Sequence, residues 1–238
     1  MLEKDRVRII SEKAEYGKGV MKEATEYCGQ IFRRYMKWGG AVLELGPAEG
    51  IMTDSLIPYF DDYTVVDGAE FFVDLIKRRH PKIEGYVKLF EEFSPKKNKK
   101  YDSIILGHVL EHVKNPVDIL KRCSSWLSDE GNILAAVPNA HSIHRQAAVL
   151  MGLLHSEEQL NETDIKNGHR RVYNIETLTH NFIDSGLTIV ARGGYWLKPE
   201  SNKQIEKNWT EGMINAFLRL GEEYPEVAAE IYVVATRG

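Results

Sequence analysis

Three side chains able to do acid–base or ligand chemistry fall within the five residues His108–His112 of "GHVLEHV": His108, Glu111 and His112. Imidazole is the side chain whose ordinary pKa lies nearest neutrality, so His112 is a candidate general base for a hydroxyl proton. His141 and His144 stand further on, and "HRRVY" supplies His169, Arg170, Arg171 and Tyr173. His141 is the second candidate base. A guanidinium meets a carboxylate or phosphate through two parallel hydrogen bonds, which makes Arg170 and Arg171 candidates for orienting an anionic substrate, with His144, His169 and Tyr173 beside them. Each has a plainer reading. His112 also suits a histidine bonding a helix start, and the arginines suit a surface cluster tying a loop to the sheet. His108, Glu111 and His112 invite a metal, but most sites need three protein ligands; the spacing fixes no third, and no metal is expected.

A second group lies upstream. "AVLELGPAEG" (Ala41 to Gly50) is a short apolar run carrying one acid, Glu44, then a turn with Gly46 and Gly50. Glycine lets backbone approach a ligand closely and permits positive φ. Asp67 ends the next apolar run, 21 residues after Gly46 (67 − 46). At that spacing an acid accepts the hydroxyls of a ribose. A dinucleotide site asks for G-x-G-x-x-G, whereas this turn is Gly46-Pro47-Ala48-Glu49-Gly50, with an acid where phosphates would sit. Glu44 instead suits a cationic ligand bearing an amino group, which favours a sulfonium amino-acid nucleoside.

These residues need elements to hold them. Apolar positions Met21, Ala24, Cys28, Ile31, Phe32 and Tyr35 trace one face of a helix from about Val20 to Met36, closed by Gly39-Gly40. Strand-like runs follow at 41–45, 63–67, 85–90, 101–107 and 131–137, separated by helix-length segments at 52–59, 71–79 and 116–127. That alternation predicts βαβ units with helices on both faces of a parallel sheet. A helix over 174–186, a strand from Leu187, a helix near 207–221 and a last strand over 229–237 complete the chain. Residues 141–171 fit neither pattern and read as an insertion with one amphipathic helix.

The sequence resembles class I S-adenosylmethionine-dependent methyltransferases, of the subgroup that includes the ubiquinone-biosynthesis O-methyltransferases. "ELGPAEG" is similar to the first family motif, an acid followed by G-x-G-x-G, with Ala48 at the middle glycine. "VVDGAE", "YDSIILGHVLEHVKNP", "LSDEGNILAAVPN" and "GHRRVYNIETLTHNFIDSGL" resemble the later motifs in order, over roughly residues 40 to 190. The resemblance implies a doubly wound, mostly parallel seven-stranded α/β sheet (the Rossmann-like methyltransferase fold), an N-terminal helical cap over residues 1–38, a lid at 141–171, and one domain over 1–238. It implies S-adenosyl-L-methionine as cofactor and S-adenosyl-L-homocysteine as product. Glu44, Gly46, Pro47, Ala48, Gly50, Asp67 and Gly68 would hold the cofactor; Leu89, Phe90 and Glu91 would flank adenine. Leu106, Gly107 and His108 would line the methionine half, and Tyr16 or Lys18 would close over it.

With 43% hydrophobic and 28% charged residues, the composition is that of a globular domain. A net charge of −4 gives no basic footprint for nucleic acid. Charges occupy the start of the chain, and the longest apolar run, Ala147 to Leu154, is too short to span a bilayer. Two cysteines, Cys28 and Cys123, make no disulfide framework. The expectation is a cytoplasmic monomer or homodimer that O-methylates a small anionic or hydroxylated metabolite, without nucleic-acid or membrane partners. Two rivals use the same features: a nicotinamide-dependent oxidoreductase, and a cofactor-binding regulator without activity. Tyr195, Trp196, Lys198 and Trp209 either roof the pocket or fill the core.

Overall fold

A computed structural model of the chain describes residues 3–11 and 17–238. Seven strands form one sheet: β1 (Val42–Leu45), β2 (Tyr63–Asp67), β3 (Glu84–Val87), β4 (Tyr101–Gly107), β5 (Leu127–Pro138), β6 (Leu187–Tyr195) and β7 (Glu230–Arg237). Their order is β3-β2-β1-β4-β5-β7-β6, with β7 antiparallel to both neighbours and the remaining pairs parallel. Strand order reverses between β1 and β4, and the crevice beyond their carboxyl ends is where open α/β sheets place ligands.

Ten α-helices are described: α1 (Glu3–Ser11), α2 (Gly19–Arg33), α3 (Ile51–Leu56), α4 (Glu70–Arg79), α5 (Pro116–Trp126), α6 (Ile143–Leu150), α7 (Glu162–Asn167), α8 (Ile175–Asp184), α9 (Asn202–Asn208) and α10 (Glu211–Glu223). Because strand side chains alternate, the sheet carries two cores. Val42, Val65, Ile105 and Leu134 face α2, α3 and α10, while Leu43, Ile104, Ile133 and Val233 face α5 and α8. Strands buried on both faces read as continuous apolar runs, which is why β1, β2 and β4 were visible in the sequence.

Several boundaries differ from expectation. Strand β3 stops at Val87 because the chain turns there, with Glu92 N–H bonding the Leu89 carbonyl. The helix expected near 207–221 is two, broken where the Thr210 side chain caps α10 by accepting from Met213 N–H. The segment after β5 holds two helices, not one; Asn161 and Asp164 form a capping box that starts α7 independently of α6.

Candidate active site

Leaving β1, the chain turns through Gly46–Gly50 into α3. Gly46, Ala48 and Gly50 have φ of 66°, 46° and 78°, in the left-handed region that penalises a Cβ. A methyl on Gly46 would lie 2.8 Å from Val109 Cγ2, filling the space the turn leaves open. Asp67 ends β2, is 7% exposed, and accepts from Ala69 N–H at 2.8 Å through Oδ1. Burial lifts its pKa to about 6.

Gly46, Ala48, Asp67, Gly68, Leu89, Phe90 and Glu91 enclose a cavity of about 140 Å³. Leu89, Phe90 and Val109 give it apolar walls and Asp67 an acidic floor, the chemistry of a slot for a flat heterocycle and its ribose. Helix α1 covers this slot with Glu3, Arg6, Val7 and Ser11, which sequence periodicity did not reveal. Arg6 bonds the carbonyls of His112 and Gly168, and Arg170 bonds Glu3, so α1 is fastened to the catalytic side.

A larger cavity of about 740 Å³ begins at Glu44, Gly46, Pro47, Ala48, Gly107 and His108 and extends beneath α6 and α7. Glu44 is buried; its Oε2 accepts from Thr53 Oγ1 at 2.6 Å and Tyr63 Oη at 2.8 Å, and burial raises its pKa to about 7. His108 takes a left-handed φ of 56° where β4 ends. That twist sets its ring between two acids, with Nδ1 3.5 Å from Glu111 Oε1 and Nε2 3.8 Å from Glu230 Oε2. Burial opposes its charge, but Glu230 and Glu111 outweigh it and raise the imidazole to about 9. Burial alone would raise Glu111; the surrounding histidines bring it down to about 2. Burial drives His112 down to about 4 and His144 to about 3, so both are neutral at pH 7. His112 and His169 line the cavity with rings edge to face, centroids 4.8 Å apart. Lys198, half-buried over the Trp196 ring, supplies a cation to the same wall, and burial lowers its pKa.

Several expected site residues stand elsewhere. His141 lines neither cavity: its side chain is 45% exposed and faces Glu157 and Glu158. Arg170 and Arg171, expected to orient a substrate, line neither cavity. Arg170 Nε bonds the His112 carbonyl at 2.7 Å, while Arg171 bonds the carbonyls of Leu110, Val113 and Lys114 at 2.8, 2.6 and 3.0 Å. The β4–α5 loop presents those carbonyls without strand partners, and the guanidinium groups satisfy them. Tyr173 is buried, its hydroxyl 3.0 Å from Asn181 Oδ1. The Leu106 side chain is wholly buried in the α5–α8 core and lines neither cavity. Gly50 lines neither cavity and serves the turn, as the left-handed residue before α3. Tyr16 lies outside the described residues. Tyr195 and Trp196 are fully buried core residues. The sequence reading missed Asp164 and Glu230, single acids in ordinary surroundings whose place in the cavity depends on the fold.

Residues 14–192 match the family described as a methyltransferase domain. A probable S-adenosylmethionine-dependent methyltransferase of Mycobacterium tuberculosis is 24% identical over 199 residues, 82% of this chain and 67% of that protein. Among solved structures, the fold is shared with an S-adenosylmethionine-dependent methyltransferase of Mesorhizobium loti (TM-score 0.63, 15% identity, 87% of this chain and 96% of that one). It is also shared with the N-methyltransferase NodS of Bradyrhizobium japonicum bound to S-adenosylhomocysteine (TM-score 0.55, 15% identity, 88% and 85%). The seven-stranded sheet is the fold shared with those structures, and this chain belongs to the methyltransferase-domain family as an S-adenosylmethionine-dependent enzyme.

Proposed function

We propose that the chain transfers the methyl group of S-adenosylmethionine to an oxygen of a small hydroxylated molecule. The observation that carries this reading is the neutral imidazole of His112 lining the larger cavity beside His169, at the end of β4 next to Gly107 and His108. In this arrangement Asp67 accepts the ribose hydroxyls, Leu89 and Phe90 sandwich the adenine, and the first turn together with Gly107 and His108 holds the methionine half. Methyl transfer is an in-line displacement, so the acceptor must lie opposite the sulfur with water excluded. His112 offers the acceptor hydroxyl a lone pair, which an imidazole charged at pH 7 would lack. Lys198, free of ion pairs among the described residues, replaces the arginines as the cation available to an anionic group of the substrate.

About 740 Å³ is the size of a small-molecule site, which supports a metabolite-sized acceptor. No described helix is long and apolar enough to cross a membrane.

Two measurements test the reading. S-adenosylhomocysteine should raise the thermal midpoint in proportion to the logarithm of its concentration over the dissociation constant, and NAD should not. Matched phenol and aniline acceptors, assayed for S-adenosylhomocysteine release, should show turnover on the hydroxyl member. Cofactor binding with no turnover on either would favour a regulator, and turnover on the amine alone would move the acceptor atom to nitrogen.

A further inference from the structure

Glu111, His112 and His169 each offer one ligand-capable atom, and the three atoms lie within 4.8 Å of one another. From the geometry we propose that this trio is a divalent metal site of the zinc class, set in the wall of the acceptor cavity. Two neighbours in sequence supply part of the set, and the fold supplies the third, His169, from the loop after α7.

Glu111 is the first reason. It is 1% exposed, and neither carboxylate oxygen has a hydrogen-bond partner. His108 Nδ1, the near cation, stands 3.5 Å away, an ion-pair distance. A buried carboxylate with both oxygens unbonded is costly, and a metal ion is one of the few partners that satisfies it fully.

The second reason is how the two rings are held. His169 Nδ1 faces Asp164 Oδ1 at 3.3 Å, leaving Nε2 for a ligand bond. The Gly168 carbonyl lies beside the His112 ring, a partner within reach of one of its nitrogens. A ligating histidine characteristically gives its second nitrogen to a carboxylate or carbonyl, which fixes tautomer and orientation. Asp164 is itself held by Arg145 Nη1 at 3.1 Å and Asn161 N–H at 2.9 Å. Ligand atoms on one zinc sit about 3.4 Å apart, so the trio needs to close by no more than about 1.5 Å, within the reach of side-chain rotation.

Two imidazoles and a carboxylate favour zinc, iron or cobalt over magnesium, which prefers oxygen ligands. Three protein ligands leave an open position facing the cavity. There the ion would take the acceptor's hydroxyl oxygen and lower its pKa, so that the proton passes to solvent and the ion stands in for the lone pair His112 offers in the metal-free site. This use rests on the methyl-transfer reading, whereas metal binding does not.

The test is calorimetric titration of the chelator-stripped full chain with zinc chloride, alongside the visible spectrum with cobalt chloride and the S-adenosylhomocysteine thermal shift. One equivalent should bind with micromolar or tighter affinity, giving the intense d–d bands of a four- or five-coordinate cobalt site. Glu111→Gln and His169→Gln should each weaken zinc at least tenfold and keep the thermal shift, while His141→Gln leaves zinc affinity unchanged. Absence of saturable binding, wild-type zinc affinity in both ligand variants, or only the weak bands of six-coordinate cobalt would overturn the site. Should one variant fail to fold, the other and the wild-type cobalt spectrum still decide. Loss of the thermal shift in the wild-type chain would instead sink the methyltransferase reading.

Discussion

The rings of His112 and His169 meet edge to face, centroids 4.8 Å apart, although 57 positions separate them (169 − 112). Their meeting depends on Arg6, Arg170 and Arg171, which tie the loop carrying His112 to α1 and to the chain leaving α7. The guanidinium groups that resembled a substrate clamp in the sequence therefore act one step back from the chemistry. They hold the backbone on which the reactive side chains stand.

His112→Ala should lower turnover roughly 10²–10⁴-fold, whether its lone pair takes a proton or holds an ion, with S-adenosylhomocysteine affinity nearly unchanged. His141→Ala should leave turnover within a few-fold of wild type, because that ring faces Glu157 and Glu158 outside the cavity. Steady-state kinetics on both variants with a hydroxylated acceptor checks the contrast. An equal loss in both would refute the assignment.

Arg171→Ala should destabilise the fold by about 2–3 kcal/mol, since it strands three loop carbonyls that the guanidinium now satisfies. Lysine should recover less than half, because one ammonium cannot span three acceptors. Urea midpoints at constant slope measure both. A Michaelis constant that rises tenfold with no loss of stability would restore the substrate-clamp reading.

The framework was legible because it rests on local rules. Strands buried on both faces write continuous apolar runs, and a turn at a strand end needs glycine at fixed places, so β1, β2, Gly46 and Asp67 could be located without coordinates. The acceptor cavity was not legible, because its walls come from elements spread along the chain from α2 to β7. Glu230 is one acid opening an apolar strand, and nothing near it in sequence says that it faces His108. The arginines misled for the same reason: their residue type announces anion binding, but the loop carbonyls that occupy them are invisible in sequence. Position-independent chemistry can be guessed from residue type; the partner that claims it cannot.

His108 ties stability to pH in the metal-free protein. Its pKa is raised from 6.5 to about 9 in the fold, where Glu230 and Glu111 overcome burial. A raised folded pKa means the folded state holds the proton more tightly, so the stabilisation is fully present below about 6.5 and is lost as pH rises to about 9. Wild type minus His108→Gln stability, measured by urea unfolding from pH 6 to pH 9.5, should therefore shrink across that window. A difference that stays constant, or grows with pH, would show that the ring is not held charged between its two acids.

Ala48 stands where the resembling motif has glycine and adopts φ of 46°. The Ala48 and Gly68 amides lie close enough to act on the Asp67 carboxylate, which accepts from Ala69 N–H, so the turn's strained conformation is coupled to the acid proposed to take the ribose. An L-residue in the left-handed region costs about 1–2 kcal/mol, and glycine's extra freedom in the unfolded chain returns about 0.5–1 kcal/mol of that. Ala48→Gly should therefore stabilise the protein by about 0.5–1 kcal/mol and leave S-adenosylhomocysteine affinity within a few-fold, because the backbone amide that meets Asp67 is kept. Ala48→Val should do the reverse. Its branched side chain opposes positive φ more strongly than alanine's, so it should weaken both the fold and the cofactor site. Thermal melts with and without S-adenosylhomocysteine separate the two effects. If the glycine variant melts lower than wild type, the left-handed conformation at Ala48 is not a source of strain, and the alanine is there for contacts its methyl group makes.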